Sequence, residues 1–303
     1  MGATNDRERS QRANGEDDVR RVSPEGAVMV APDGSKKILR RRPPLLEIDS
    51  VNVIFGENQV LRDITLRIRR GETVAIIGES GCGKTVLLKT MIGLIAPTSG
   101  SVRFKGEDLS TLSDKELTEA RAHYGFVFQM AALFDSLTIS ENVAFPLRQH
   151  RKDMSNREIL DRVRSLLEEV GLNPDVVWKK TPSELSGGMR KRVGFARALA
   201  MEPDLMLYDE PTTGLDPIMS DVVNQLMIHA RDKLHVAAAL VTHDMKSACS
   251  VANRLVMLYP NARLRPDEPQ IIFDGTPDEI ERCGDKRVLQ FIHGEAGDRM
   301  REL

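Results

Sequence analysis

The pattern of polar and apolar positions changes at Leu45. Residues 1–44 are polar, carry both charge signs and show no period, which predicts a disordered polar tail. From there on, Leu46 to Phe55 and Val60 to Ile68 alternate apolar with polar residues, as half-buried antiparallel strands do. Thr73 to Ile77 is a short apolar strand running into a glycine-rich stretch, after which Val86, Leu87, Leu88, Met91 and Ile92 recur at helical spacing. Residues 101–104 and 126–128 read as strands around a polar segment with its own capping box, Ser113-x-x-Glu116. Roughly 130–188 has a helical period, a second capping box at Ser155-x-x-Glu158 and no strand signal, which predicts a helical insertion. Leu205–Tyr208, Val236–Val241 and Arg254–Leu258 resume a parallel sheet, separated by amphipathic helices. Beyond Gln270 the pattern predicts one strand and two short helices. The expected fold class is α/β: a mostly parallel sheet core with an antiparallel β subdomain and a helical insertion.

Composition narrows the class. A chain of 303 residues, 41% hydrophobic, has ample material for a core. A net charge of −2 makes no electrostatic case for nucleic acid. Cys82, Cys249 and Cys283 are far apart, odd in number and without CxxC pairing, which fits a reducing compartment. The six histidines show no metal-ligand spacing. No apolar run approaches the ~18–20 residues of a membrane span, and Gly26–Ala31 is too short and too late for a signal peptide. A cytosolic chain whose membrane contacts run through a partner is expected. The cluster Lys36, Lys37, Arg40, Arg41, Arg42 offers charge to an anionic surface or an acidic partner, at about 1 kcal/mol per charge near lipid.

The chemistry lies in two motifs. Gly78-Glu79-Ser80-Gly81-Cys82-Gly83-Lys84-Thr85-Val86 contains GxxxxGK[ST] between a predicted strand and a predicted helix, the context a phosphate-binding loop requires. About one hundred residues later comes Leu185-Ser186-Gly187-Gly188, just ahead of Leu205–Tyr208 and the acids Asp209 and Glu210. Each motif would arise by chance in roughly 1% of such chains, so finding both in order points to a nucleotide machine. Glycines 78, 81 and 83 lack Cβ, which lets backbone N–H groups wrap the phosphates at a helix N-terminus. Lys84 is expected to reach the β- and γ-phosphates and Thr85 to offer its hydroxyl to Mg2+. Cys82, mid-loop, reads as a small filler rather than a redox switch. Asp209 suits magnesium, through water, and Glu210 suits orienting and polarising the attacking water.

This set resembles the nucleotide-binding subunit of an ATP-binding cassette (ABC) transporter, over about residues 45–280, with 281–303 as a C-terminal tail able to assist chain pairing. The resemblance implies the P-loop NTPase (RecA-like) ABC cassette fold, ATP with Mg2+, and two chains sandwiching two ATP molecules. Gln129 matches the Q-loop, which senses magnesium and γ-phosphate and couples to the membrane subunit. Ser186, Gly187 and Gly188 match the signature, which faces the ATP of the opposite chain. Asp216 in Thr213-Gly214-Leu215-Asp216 matches the D-loop, His243 the switch histidine, and Phe55 an aromatic that stacks on adenine, though a Phe at that spacing is equally ordinary core. The family's LSGGQ ends here in Met189. The run Arg190-Lys191-Arg192 reads as a solvated helix face, with contact to phosphate or partner acids as the alternative.

Within the family, several stretches resemble the ATPases of Mla/Mkl-type phospholipid transporters that work with MCE-domain proteins: residues 78–88, 132–138, 141–148, 186–192 and 290–295. That implies a subunit at the cytoplasmic face of the bacterial inner membrane, powering integral permease subunits with an MCE-domain partner. Importers of amino acids or organic solutes share parts of these stretches. A non-transport regulator of the cell-division type, coupled to a permease-like protein, would carry the same ATPase.

Overall fold

The computed structural model describes residues 43–295, and ahead of them the backbone of two short strands, β1 (Ala27–Val30) and β2 (Lys36–Leu39). These pair antiparallel, as a unit to themselves, inside the segment predicted to be a disordered tail. Each strand carries a short apolar run, a local signal that the composition of the whole tail masks. Residues 1–26, 31–35 and 40–42 of the predicted tail, with Arg40, Arg41 and Arg42, lie outside the described residues, as do 296–303.

From Pro44 the chain forms one unit. Strands β3 (Leu46–Phe55) and β4 (Asn58–Ile68) pair antiparallel, as their alternation predicts. The alternation slips once in each strand: buried positions run 46, 48, 51, 53 in β3 and 61, 64, 66, 68 in β4. Ser50 and Asp63, both at positive φ, sit where the phase changes, and register shifts there keep one face turned inward. β5 (Thr73–Gly78) is buried throughout and leads, past a glycine-rich loop, into α1 (Lys84–Met91). β6 (Ser99–Phe104) and the short β7 (Glu107–Asp108) complete a four-stranded antiparallel sheet in the order β4–β3–β6–β7. α2 (Asp114–Arg121) opens on the Ser113/Glu116 capping box read from the sequence.

β8 (Tyr124–Val127) begins two residues before the predicted 126–128 strand. Helices α3 (Ile139–His150), α4 (Asn156–Glu169) and the single-turn α5 (Pro174–Val177) follow, with the Ser155/Glu158 box in place. α6 (Gly187–Leu199) packs against both α3 and α4, so this helical group runs past residue 188. β9 (Leu205–Asp209), α7 (Pro217–Leu234), β10 (Ala237–Val241), α8 (Met245–Val251) and β11 (Arg254–Leu258) alternate as predicted. β12 (Ile271–Gly275), α9 (Pro277–Ile280) and α10 (Lys286–His293) are the one strand and two short helices of the tail.

The second sheet runs β12–β11–β5–β10–β9–β8, parallel except for β12. Strands buried on both faces still have a two-residue period, and here it divides two cores. Val74, Ile76, Leu205, Leu207, Ala239 and Val241 face the antiparallel sheet and Leu87, Leu88 and Met91 of α1. Ala75, Ile77, Met206, Tyr208, Ala238 and Leu240 face the helical side, where Phe195 of α6 stacks on Tyr208 with ring centroids 5.2 Å apart. Among the described residues no helix is long and apolar enough to cross a membrane.

α6 lies close on β8 because Gly125 has no side chain. A Cβ there would fall 2.2 Å from Met206 Sδ and 2.7 Å from the carbonyl oxygen of Ala198, so strand and helix would have to part. Gly125→Ala is expected to destabilise the fold by about 1–3 kcal/mol, the usual range for overpacking. A thermal melt checks this, and an unchanged melting temperature contradicts it.

Candidate nucleotide site

The parallel strands finish nearly level. Val241 lies opposite Ile76 of β5 and Asp209 of β9, and Val127 lies opposite Tyr208. Segments leaving these strands therefore gather at one carboxyl edge, the place where open α/β sheets bind ligands. They are the 78–85 loop after β5, Gln129 after β8, Glu210 after β9 and His243 after β10.

The loop is tucked between the two sheets. At Gly78 (φ +143°) a Cβ would lie 2.2 Å from Leu258 O of β11, and at Gly83 (φ +100°) 2.8 Å from a methyl of Leu61 in β4. Close backbone approach thus requires glycine at both, beyond the exposure of N–H groups argued from the sequence. Ser80 and Gly81 (φ +81°) form the exposed crest, and Val86 packs partly into the core beneath. Cys82 is buried, and burial pushes its thiol up, which fits a filler. Lys84, 8% exposed, donates to Gly78 O and Glu79 O, both at 2.8 Å. The Glu79 carboxylate turns the other way, to Arg263 at 2.8 Å.

Beside Lys84, Thr85 Oγ1 donates to Asp209 Oδ1 at 3.1 Å. Burial pushes the Asp209 carboxyl up, and the charge of Glu210 adds to this against the Thr85 bond. A half-buried carboxylate beside a hydroxyl offers the hard oxygen donors that Mg2+ takes, and an ammonium held by neutral carbonyls is free to meet a polyphosphate.

Glu210 adopts φ +50°, a left-handed conformation that costs a side chain energy and is held by its surroundings. Its N–H donates to Val241 O at 2.9 Å, and its carboxylate lies 2.8 Å from His243 Nδ1 and accepts from Thr213 Oγ1 at 3.1 Å. Its side chain is 15% exposed, whereas that of His243 is 63% exposed. Strain and a multiply bonded, shielded carboxylate suit a group that orients water. Gln129 is exposed at the same edge. Phe55, 51% exposed at the end of β3, does not belong to the core, which removes the alternative reading of that residue.

The signature residues form a second group. Ser186 caps α6, accepting from Met189 N at 3.3 Å, with Gly187 exposed and Gly188 against Met219 of α7. Met189, which stands where the family has Gln, packs partly into the helical-side core. Asp216 caps α7, its Oδ1 accepting from Ile218 N and Met219 N at 3.0 Å each. Within one chain that carboxylate is engaged by its own helix.

The Arg190-Lys191-Arg192 run is not a solvated face. Arg190 donates to Leu185 O at 2.6 Å and Arg192 to Gly171 O at 2.8 Å. Lys191, 7% exposed, donates to Pro211 O and Thr213 O, at 2.7 and 2.6 Å. Farther along α6, Arg197 donates to Ala132 O and Ala131 O, two residues at positive φ just after Gln129. Sequence reading named Lys191 and Thr213 without these contacts, and it did not single out Arg197 or the buried Gln270, which donates to Cys82 O and Val60 O and accepts from Arg62 N. For Lys191 there was a signal: it shares a stripe with Gly188 and Phe195, a face the helical period assigns to the core. Nothing local in sequence marks the other three.

The family model described as ABC transporter matches residues 61–213. The chain is 39% identical over 250 residues to the "Probable ribonucleotide transport ATP-binding protein mkl" of Mycobacterium leprae, covering 82% of this chain and 69% of that protein. It is 36% identical over 252 residues to the "Intermembrane phospholipid transport system ATP-binding protein MlaF" of Haemophilus influenzae, covering 83% and 91% respectively. Among solved structures, a dimeric post-hydrolysis ATP-binding cassette bound to ADP and Pi superposes with a TM-score of 0.68 at 32% identity, covering 77% of this chain and 98% of that one. With the loop, acids and signature placed as described, the chain belongs to the ABC transporter family, as one of its ATP-binding ATPases.

Proposed function

We propose that this chain is the ATP-hydrolysing subunit of a transporter that moves phospholipid between bacterial membranes. Two copies would close on two ATP molecules at the cytoplasmic face of the inner membrane and drive integral permease subunits that act with an MCE-domain protein. The observation that carries the ATPase reading is the constrained Glu210, bonded to His243 and Thr213 beside the Lys84–Thr85–Asp209 group. For the cargo, the support is similarity over 91% of the length of a protein named for intermembrane phospholipid transport.

In this reading Lys84 exchanges its two loop carbonyls for the β- and γ-phosphates, and the loop amides hold the remaining oxygens. Thr85 and Asp209 hold magnesium, with Gln129 from the neighbouring strand end; the ion supplies charge neutralisation on the phosphates. Glu210 accepts a hydrogen bond from the attacking water and aims it, while His243 keeps that carboxylate in position and meets the γ-phosphate. Phe55 stacks on the adenine. The amides of Gly187 and Gly188, the Ser186 hydroxyl and the α6 N-terminus serve the partner copy's ATP, and Asp216 borders the same interface.

Three outcomes are expected. Glu210→Gln should bind ATP yet hydrolyse it about 10²–10⁴-fold more slowly, the usual contribution of a positioned base; ordinary turnover removes the role. That variant should accumulate ATP-dependent dimers in sedimentation, and adding Ser186→Arg should return it to monomer with nucleotide binding intact. A dimer that ignores Ser186→Arg excludes the sandwich. Purified from membranes, the chain should bring down a permease and an MCE-domain protein with phospholipid bound, detected by mass spectrometry. A solute importer in their place overturns the cargo.

A further inference from the structure

Lys191 is an ammonium buried in the helix that begins at the signature, yet both its bonds leave that helix for the segment that follows Glu210. Thr213 is the junction. Its carbonyl accepts from Lys191 at 2.6 Å, its hydroxyl donates to Glu210 Oε2 at 3.1 Å, and its N–H donates to Glu210 O at 3.2 Å. An unbroken line therefore runs from Ser186, through one turn of α6, to Lys191, Thr213 and the Glu210 carboxylate. Glu210 is also the residue at φ +50°, so a small displacement of 211–213 acts on a backbone already away from its preferred conformation. Burial pushes the Lys191 ammonium down and the Glu210 charge opposes this, which places the two groups within electrostatic reach.

The two ends of this line belong to different ATP molecules if, as proposed above, Ser186 serves the partner's nucleotide and Glu210 the chain's own. We infer that Lys191 is a positioning residue that couples the two composite sites: engagement of the signature at one site, carried by α6 through Lys191 and Thr213, sets the Glu210 carboxylate at the other. Hydrolysis at either site then depends on closure at both. The alternative role for a buried lysine, holding the fold together, predicts loss of stability without a change in cooperativity. The bonds to Pro211 O and Thr213 O are made to the turn after Glu210, the segment that sets the Glu210 backbone. α6 is also fastened by Arg192 to Gly171 and by Phe195 against Tyr208.

The experiment compares ATP hydrolysis by the full chain with Lys191→Met, Lys191→Arg and Thr213→Val. The wild type should show a Hill coefficient approaching about 2, the limit for two coupled sites. Lys191→Met should lower kcat by at least about tenfold and the Hill coefficient to about 1. Its monomer affinity for ATP and, in the Glu210→Gln background, its ATP-dependent dimerisation should stay within about twofold. Lys191→Arg should recover most of the cooperativity. Thr213→Val, which keeps the carbonyl for Lys191 but removes the hydroxyl from Glu210, should lose cooperativity with Lys191 intact, and it decides the matter if Lys191→Met folds poorly. Wild-type cooperativity in Thr213→Val, or in a folded Lys191→Met, overturns the coupling. Absence of ATP-dependent dimers in Glu210→Gln itself overturns the underlying dimer reading instead.

Discussion

The register of the buried parallel sheet is the constraint on which the rest depends. β5, β10, β9 and β8 are hydrogen-bonded so that their carboxyl ends fall on one line, and the segments bearing Lys84, His243, Glu210 and Gln129 leave from that line. In a sheet buried on both faces a one-residue slip would exchange the two cores, moving Val74 and Ile76 to the helical side and Ala75 and Ile77 away from it. The packing of both layers therefore pins the positions of the chemical groups. Hydrophobic burial thus sets the relative placement of the charged groups at the strand ends.

A second device acts on the loops. Segments outside the sheet have backbone carbonyls that no strand satisfies, and buried carbonyls need donors. α6 supplies them: Arg190, Lys191, Arg192 and Arg197 each reach the carbonyls of a different segment. These are the signature lead, the turn after Glu210, the end of α4 and the turn after Gln129. Gln270 does the same for the phosphate loop, tying Cys82 O to Val60 O across two sheets. Where these bonds join α6 to turns with side-chain-bearing residues at positive φ, at Glu210 and at Ala131–Ala132, they can carry displacement as well as hold shape. Each removes one turn's freedom to move independently of α6 or of the sheet, which is what linking two nucleotide sites requires.

Much of this was legible beforehand because local rules govern it. Alternation predicted β3 and β4, the wholly apolar runs predicted the inner strands, and Ser-x-x-Glu spacing predicted two helix starts that the structure contains. The phosphate loop was readable because glycine, lysine and threonine must occur at fixed offsets for backbone amides to face an anion. The bulges at Ser50 and Asp63 were not legible, since a phase slip becomes visible only when both strands and their partner face are known. The solvated-face reading of residues 190–192 failed for a related reason. A cation reads as exposed until its acceptor is known, and for Lys191 and Arg192 the acceptors are carbonyls some 20 residues away along the chain.

By itself, then, the sequence determined the element order from Leu45 on, the α/β class, the phosphate loop and the acids at the end of β9, because each is encoded within a few consecutive residues. Tertiary structure alone decided that Phe55 stands in solvent, that Met189 packs partly against the core, and that Lys191 is buried against the turn after Glu210. It also decided the strained conformation of Glu210 and its contact with His243, two residues 33 positions apart in sequence. Those outcomes depend on which chain segments pack side by side, and that is a property of the sheet order and register, not of any one stretch of residues.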